Sequence, residues 1–303
     1  MTVAAPASAT VPGSIAVTVT IDADAAENDV TGFIVLSRGG DQRRVPYWFR
    51  VEAPKLGRES STLLRKPGVY RGNTAGKPSL VATYRYPELA ASVAGSSVPV
   101  VLSGPEQVFR IVLAKPVANV GVAVVSQGNG VKISPRFVRD ADENRLTGDV
   151  GYPVYINPYG PRFGATVPAV GAVLPATGTY DAVFDTVDAA AAGRFTFRFW
   201  VNDVTPPSVR LPTRTVSEGG RLLLAVSDAG SGVDPSSLSA TVDGRSVSVR
   251  RVGTRALVPL KGVRRGSHVL RFTAADFQEA KNMEDVGPVL PNTRVLRVRF
   301  TVR

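Results

Sequence analysis

The stretch SDAGSGVDPSS (227–237) sets Asp228 and Asp234 on either side of a Gly-Ser-Gly run. Three chemistries could use that pattern. Loop carboxylates are hard oxygen ligands suited to calcium in extracellular modules. An Asp-x-Gly aspartate can orient a catalytic histidine. An aspartate can also simply accept hydrogen bonds from the backbone of its own turn. The EF-hand spacing fails here, because Gly230 and Gly232 stand where oxygen ligands belong and no Glu closes the loop. Asp228, Asp234 and Asp276, with Asp203, lie near expected strand ends and form the calcium candidates. The competing expectation is that Asp228 and Asp234 close turns, with Gly230 and Gly232 supplying positive φ angles.

Other reactive constellations are sparse. The chain has one histidine, His268 in GSHVLRF, and no cysteine. That excludes disulfides, thiolate zinc sites, cysteine nucleophiles and any two-histidine metal site within one chain. Gly-Thr at 178–179 and 253–254 is followed by Tyr and Arg rather than Ser, and no Gly-x-Ser-x-Gly elbow occurs. No catalytic residue is therefore assigned. Asp140, Asp142 and Glu143 could pair as glycosidase carboxylates, but Arg139 and Arg145 are interleaved with them, which suits a salt-bridged loop. Tyr84, Tyr86, Tyr155 and Tyr159 could form a stacking platform for sugar or peptide; aromatics next to prolines also clamp loops to a core.

The elements that would carry these residues are strands. SIAVTVTID (14–22), GRFTFRFWVND (193–203) and RVLRVRFTVR (294–303) alternate apolar and polar side chains, as a strand with one buried face requires. Phe195, Phe197, Phe199 and Val201 share one face of the second; Leu296, Val298, Phe300 and Val302 share one face of the third. Asp243-Gly244 suits a two-residue hairpin turn. DAVFDTVDAAAAGR reads either as a helix or as a strand followed by an alanine-rich loop. Trp48 and Trp200 fall inside strands and are expected in or beside a core. With 29 Gly and 23 Pro in 303 residues and no long helical pattern, the fold class is all-β: tandem β-sandwich modules. The expected organisation is a short β-segment (1–54), a linker (55–69), a middle β-sandwich (70–204) and a C-terminal β-domain (205–303), the last two joined by Pro206-Pro207 like beads.

The net charge is +11, and residues 205–303 hold sixteen basic but only eight acidic side chains. An anionic cell-wall polymer is one partner for such a surface, and a solvated arginine-rich face is the plainer reading. Nucleic acid is disfavoured, because the arginines alternate along strands without interleaved stacking rings. No apolar run is long enough for a membrane span, and the N-terminus lacks a signal peptide pattern.

GFIVLSRGGDQRRVPYWFRV (32–51) resembles the end of the fibronectin III-like domain that follows the catalytic domain of subtilisin-like proteases. LLRKPGVYRGNTAGKPSLVATYRYPE, GPEQVFRIVLAKPVANVGVAVVSQG, DENRLTG (142–148) and NPYGPRF (157–163) are similar to C-terminal regions of large secreted subtilases. VTPPSVRL with SDAGSGVDPSSLSATVDG is similar to bacterial Ig-like modules. The resemblance implies an extracellular or cell-surface accessory region cut off before its catalytic domain, with fibronectin III-like and Ig-like modules: 1–54 a partial fibronectin III-like segment and 205–303 an Ig-like domain. Met1 is expected to be a fragment start, because a segment of about four strands is roughly half of a sandwich. The resemblance also implies that the region supports or positions the protease and engages protein substrate or cell wall. None of that family's catalytic residues has a matching motif here. A surface adhesion or glycan-binding protein built from the same modules is the alternative.

Overall fold

The computed structural model describes residues 1–22, 25–85, 102–149, 169–278 and 292–303. The chain is all-β, with only single 3-10 turns of helix among the described residues. It divides after Pro54 into two compact units.

The first unit pairs β1 (Thr2–Ala4) with β2 (Thr18–Thr20), and β3 (Asn28–Arg38) with β4 (Asp41–Val51) in one long hairpin. Val17, Val19 and Ile21, which alternate as expected for a half-buried strand, remain exposed. Two-stranded ribbons have no second layer against which to bury a face. Phe33 and Trp48 are likewise 59% and 65% exposed, so Trp48 is not a core residue.

The second unit opens with β5 (Ser61–Leu63) and β6 (Gly68–Asn73). It continues through β7 (Gln107–Leu113), β8 (Asn119–Gln127), β9 (Ser134–Arg139) and β10 (Leu146–Asp149) to β11 (Ala169–Val173), β12 (Gly178–Asp185) and β13 (Arg194–Val201). These make a sandwich of a five-stranded sheet, β10-β9-β12-β7-β5, and a four-stranded sheet, β11-β8-β13-β6. Phe109, Phe137, Tyr180 and Phe184 of one sheet meet Val122, Val124, Phe195 and Phe197 of the other to form the core. DAVFDTVDAAAAGR resolves into the end of β12 and the 3-10 turn Ala189–Ala191, capped by Asp188.

The stretch 55–69, expected as a linker, folds into this sandwich. β5 pairs parallel with β7, and Leu56 is buried with Val81, Tyr84, Val108, Val138 and Val183 on the outer face of the five-stranded sheet. Glu143 secures the entry: its carboxylate accepts the backbone N–H of Lys55 at 2.9 Å and of Leu56 at 3.1 Å. Asp140, by contrast, pairs with Arg139 and Arg145 at the surface, as a salt-bridged loop should.

The last module contains β14 (Ser208–Arg210), β15 (Thr215–Val216), β16 (Arg221–Ser227), β17 (Ser239–Val242), β18 (Arg245–Val247), β19 (Arg250–Val252), β20 (Arg255–Pro259), β21 (Gly266–Ala275) and β22 (Thr293–Val302). Its sheets are β14-β16-β20-β19 and β15-β22-β21-β17-β18. Leu222, Leu224, Val258, Leu270, Phe272 and Phe300 fill the space between them. Asp243 and Gly244 both have positive φ in the turn joining β17 to β18, as the Asp-Gly pair demands.

Candidate functional site

The aspartates singled out in the sequence meet where the two sandwiches join. Period-two alternation turns Phe195, Phe197 and Phe199 of β13 into the core, so Arg198 and Trp200 must face outward. Trp200 is nonetheless fully buried. Its ring lies among Ala123 and Ala169 of its own sheet and Ala275 and Phe277 of the C-terminal module. Its indole N–H donates to Gln278 Oε1 at 3.0 Å. Gly121 makes room, since a Cβ there would sit 2.3 Å from Trp200 Cζ2. Burying a tryptophan between two modules gives them a common core. The bead-like joint expected at Pro206-Pro207 is instead a packed interface.

Polar groups continue the joint. Asp203, just past β13, is held by Asn119, whose side chain both donates to its carbonyl and accepts its N–H. The Asp203 carboxylate then crosses to the next module and accepts the N–H of Ser231 at 2.6 Å. Gly230 faces Asp203 so closely that a Cβ would lie 2.2 Å from its Cγ, so this glycine supplies space rather than a positive φ. Gly232 does have the positive φ expected, at 91°. Phe277 N–H closes on the Gly232 carbonyl at 3.0 Å.

Asp228 accepts the N–H of Gly232 at 2.7 Å, and Asp234 accepts both the N–H and the hydroxyl of Ser236. Both therefore make the side-chain-to-backbone turns read from the sequence. Burial raises the carboxyl of each above the usual range, opposed at Asp228 by the Gly232 N–H and at Asp234 by Ser236. The carbonyls of the same loop point at a cation supplied by the other module. Arg198 donates from Nε to Gly230 O at 2.6 Å and from Nη2 to Ala229 O at 2.9 Å, with a longer contact to Asp228 O. Nothing near Arg198 in the sequence foretells this pairing.

Asp203, Asp228 and Asp276 could each offer a carboxylate oxygen to one ion, these atoms lying within 4.8 Å of one another. Hard oxygen donors of that kind suit calcium. Asp234 stands outside this group, engaged in its own turn. Asp276 also accepts from Asn292 Nδ2 at 2.8 Å.

A second polar cluster was not legible in the sequence. Glu106, fully buried, accepts the N–H groups of Leu80 and Val81 and the hydroxyl of Tyr84. Arg136 pairs with buried Asp185 at 2.7 Å and covers the Tyr84 ring at 4.6 Å. Burial, together with Glu106 next to it, pushes the Glu59 carboxyl up to about 9. Burial works the same way on Glu106, but hydrogen bonds from Glu59, Asp185 and the two backbone N–H groups hold it below the usual range. Glu59 therefore carries a proton and gives it to Glu106 as a hydrogen bond. Tyr84 is buried in this cluster and offers no exposed ring. The other platform tyrosines, Tyr86, Tyr155 and Tyr159, lie outside the described residues.

His268 sits on β21 with Nδ1 2.6 Å from Asp243 Oδ2 and Nε2 2.7 Å from the Arg264 carbonyl. Both partners are acceptors, so the doubly protonated ring satisfies them best. The hydrogen bond to Asp243 raises the imidazole pKa.

No known protein family and no curated protein matches the chain. Among solved structures, the pre-peptidase C-terminal domain of a collagenase from Bacillus anthracis is 13% identical, covering 47% of this chain and 95% of that one at a TM-score of 0.26. Fibronectin(III)-like modules of CbhA from Clostridium thermocellum are 12% identical, covering 63% and 93% at a TM-score of 0.25. A DUF4785 family protein from Legionella pneumophila is 11% identical, covering 89% and 71% at a TM-score of 0.23.

Proposed function

We propose that this chain is a non-catalytic accessory region of a secreted peptidase of the subtilisin-like kind, holding the enzyme or its protein substrate in place. One observation carries the reading: the middle sandwich and the C-terminal module share the buried Trp200 and the Arg198 clamp on the 228–230 carbonyls. A spacer that positions an enzyme must be stiff, and a buried aromatic core between modules supplies stiffness that a bare Pro-Pro linker lacks. The disposition of His268 supports the same reading, since both its ring nitrogens are engaged by Asp243 and a backbone carbonyl rather than by a serine.

Two measurements test this proposal. The purified chain should leave unfolded casein intact while retaining it on a column. Cleavage abolished by His268→Ala would overturn the non-catalytic reading. The reading frame upstream of the Met1 codon should encode the aspartate, histidine and serine motifs of a subtilisin-like catalytic domain; a stop codon there would overturn the peptidase assignment. Calcium at Asp203, Asp228 and Asp276 would reinforce the same joint. An unchanged melting midpoint in EDTA removes it from the account.

A further inference from the structure

Beyond the joint, the outer face of the β8-β13-β6 sheet carries a groove of a different character. Cross-strand register puts Arg71 opposite Thr196 and Asn73 opposite Arg194. The residues of a directly opposed pair share a face, and positions two apart on a strand do as well. Arg71 and Arg194 therefore stand as diagonal neighbours on the face that bears Arg198 and Trp200 further along. With Lys77 they line a groove of about 810 Å³, within the roughly 300–1,000 Å³ typical of ligand sites.

Among the described residues, every charged side chain lining this groove is a cation and no carboxylate lines it. Arg71, Arg194 and Lys77 are exposed; neither arginine pairs with a carboxylate among the described residues, and Lys77 acts on Glu59 through its charge. Three carboxamides also line it, with the hydroxyls of Ser126 and Thr196. Gln107 Oε1 is taken by the N–H of Asn73 at 2.7 Å, Gln127 Oε1 by Ile133 at 2.6 Å, and Asn73 Oδ1 by Ala75 at 3.2 Å. Each amide oxygen is thus committed to the backbone, and each amide has its NH2 group to offer. Two guanidinium groups and an ammonium beside free amide donors offer an anion both charge and hydrogen bonds, a combination that a bare arginine pair lacks.

We propose that this groove binds a linear anionic glycan, its carboxylates held by Arg71 and Arg194 and its hydroxyls by the carboxamides. Guanidinium forks match planar carboxylates, and the hydroxyl groups of a sugar accept from the NH2 donors between them. Phe195, the one aromatic residue among the described residues of the lining, is buried beneath the sheet and gives a nucleic acid no stacking surface there. The inference goes beyond the accessory reading and holds whether or not a peptidase is attached.

The test is calorimetric titration of the full chain with oligogalacturonate, with neutral dextran, polyglutamate and single-stranded DNA as comparators. Oligogalacturonate should bind, and dextran should not. Arg71→Gln with Arg194→Gln should weaken binding at least tenfold and flatten the salt dependence by about two charge contacts. Arg71→Lys with Arg194→Lys should recover part of the loss. Arg271→Gln with Arg297→Gln removes the same charge from a facing pair on β21 and β22 and should change nothing. The proposal fails if oligogalacturonate does not bind or if the Arg71/Arg194 variant binds normally. It also fails if the Arg271/Arg297 variant loses as much, or if DNA or polyglutamate binds as tightly. Equal melting midpoints for the variants would show that the loss is not one of folding.

Discussion

Arg198 and Gly230, 32 residues apart, are joined by a 2.6 Å hydrogen bond from guanidinium Nε to backbone carbonyl that crosses from one β-sandwich to the next. A loop that reads like a calcium turn thus presents carbonyl oxygens to a cation belonging to its neighbour.

Removing that cation should loosen the joint. Arg198→Ala is expected to cost about 1.5–3 kcal/mol, the usual worth of hydrogen bonds from a charged group. Arg198→Lys should restore only part, since an ammonium cannot fork across two carbonyls in the same plane. Urea unfolding followed by Trp200 fluorescence in a Trp48→Phe background would measure both. Because Trp48 is exposed and Trp200 buried, iodide should quench only the former in the unmodified chain.

Gly121→Ala tests the packing beneath. The new methyl would press on Trp200 and on the Val170 carbonyl, 2.6 Å away. Overpacking of this kind costs typically 1–3 kcal/mol. Calorimetry should show a lower midpoint, and limited proteolysis should cut sooner in the loop around Asp228.

The Glu59 proton makes stability depend on pH. Its carboxyl is raised from 4.5 to about 9 in the folded protein. The folded state therefore holds a proton that the unfolded state releases between those values. The contribution is complete below about pH 4.5 and fades as pH rises toward 9. Glu59→Gln keeps a donor to Glu106 without a titrating group. The stability difference between wild type and this variant should shift steadily toward the variant from pH 5 to pH 9, as read by urea midpoints. A difference that stays constant across this range would show that Glu59 is ionised in the fold.

His268 and Asp243 give a second window. The imidazole pKa is raised by its hydrogen bond to Asp243, so its contribution is present below the ordinary histidine value and lost as pH rises through the raised one. The Asp243 carboxyl is lowered by His268 and by the Val269 N–H, so its contribution is present above the ordinary value and lost as pH falls through the lowered one. Asp243→Asn should bring the His268 titration, followed by ring-proton NMR, down toward an ordinary histidine.

Much of the local structure could be read directly. The alternation in GRFTFRFWV and RVLRVRFTV defines two strands and their buried faces, because strand periodicity is a property of neighbouring residues. Asp243-Gly244 announces its turn for the same reason, and so do the backbone-capping roles of Asp228 and Asp234. The same alternation in SIAVTVTID misleads, since burial of a face depends on whether a second layer covers it. The basic stretch 55–69 looks like a linker, yet it covers a sheet whose strands lie far away in the chain. Glu59 beside Glu106, Trp200 beside Phe277 and Arg198 beside Gly230 are likewise contacts between distant segments. By itself the sequence determines the strands, the tight turns, the all-β class and the lack of thiol and two-histidine chemistry. Only the tertiary structure decides which outward-facing residues are sealed between modules and which, like Arg71 and Arg194, are left together in a groove. Register and sheet packing make that choice, and they act between residues that no local pattern connects.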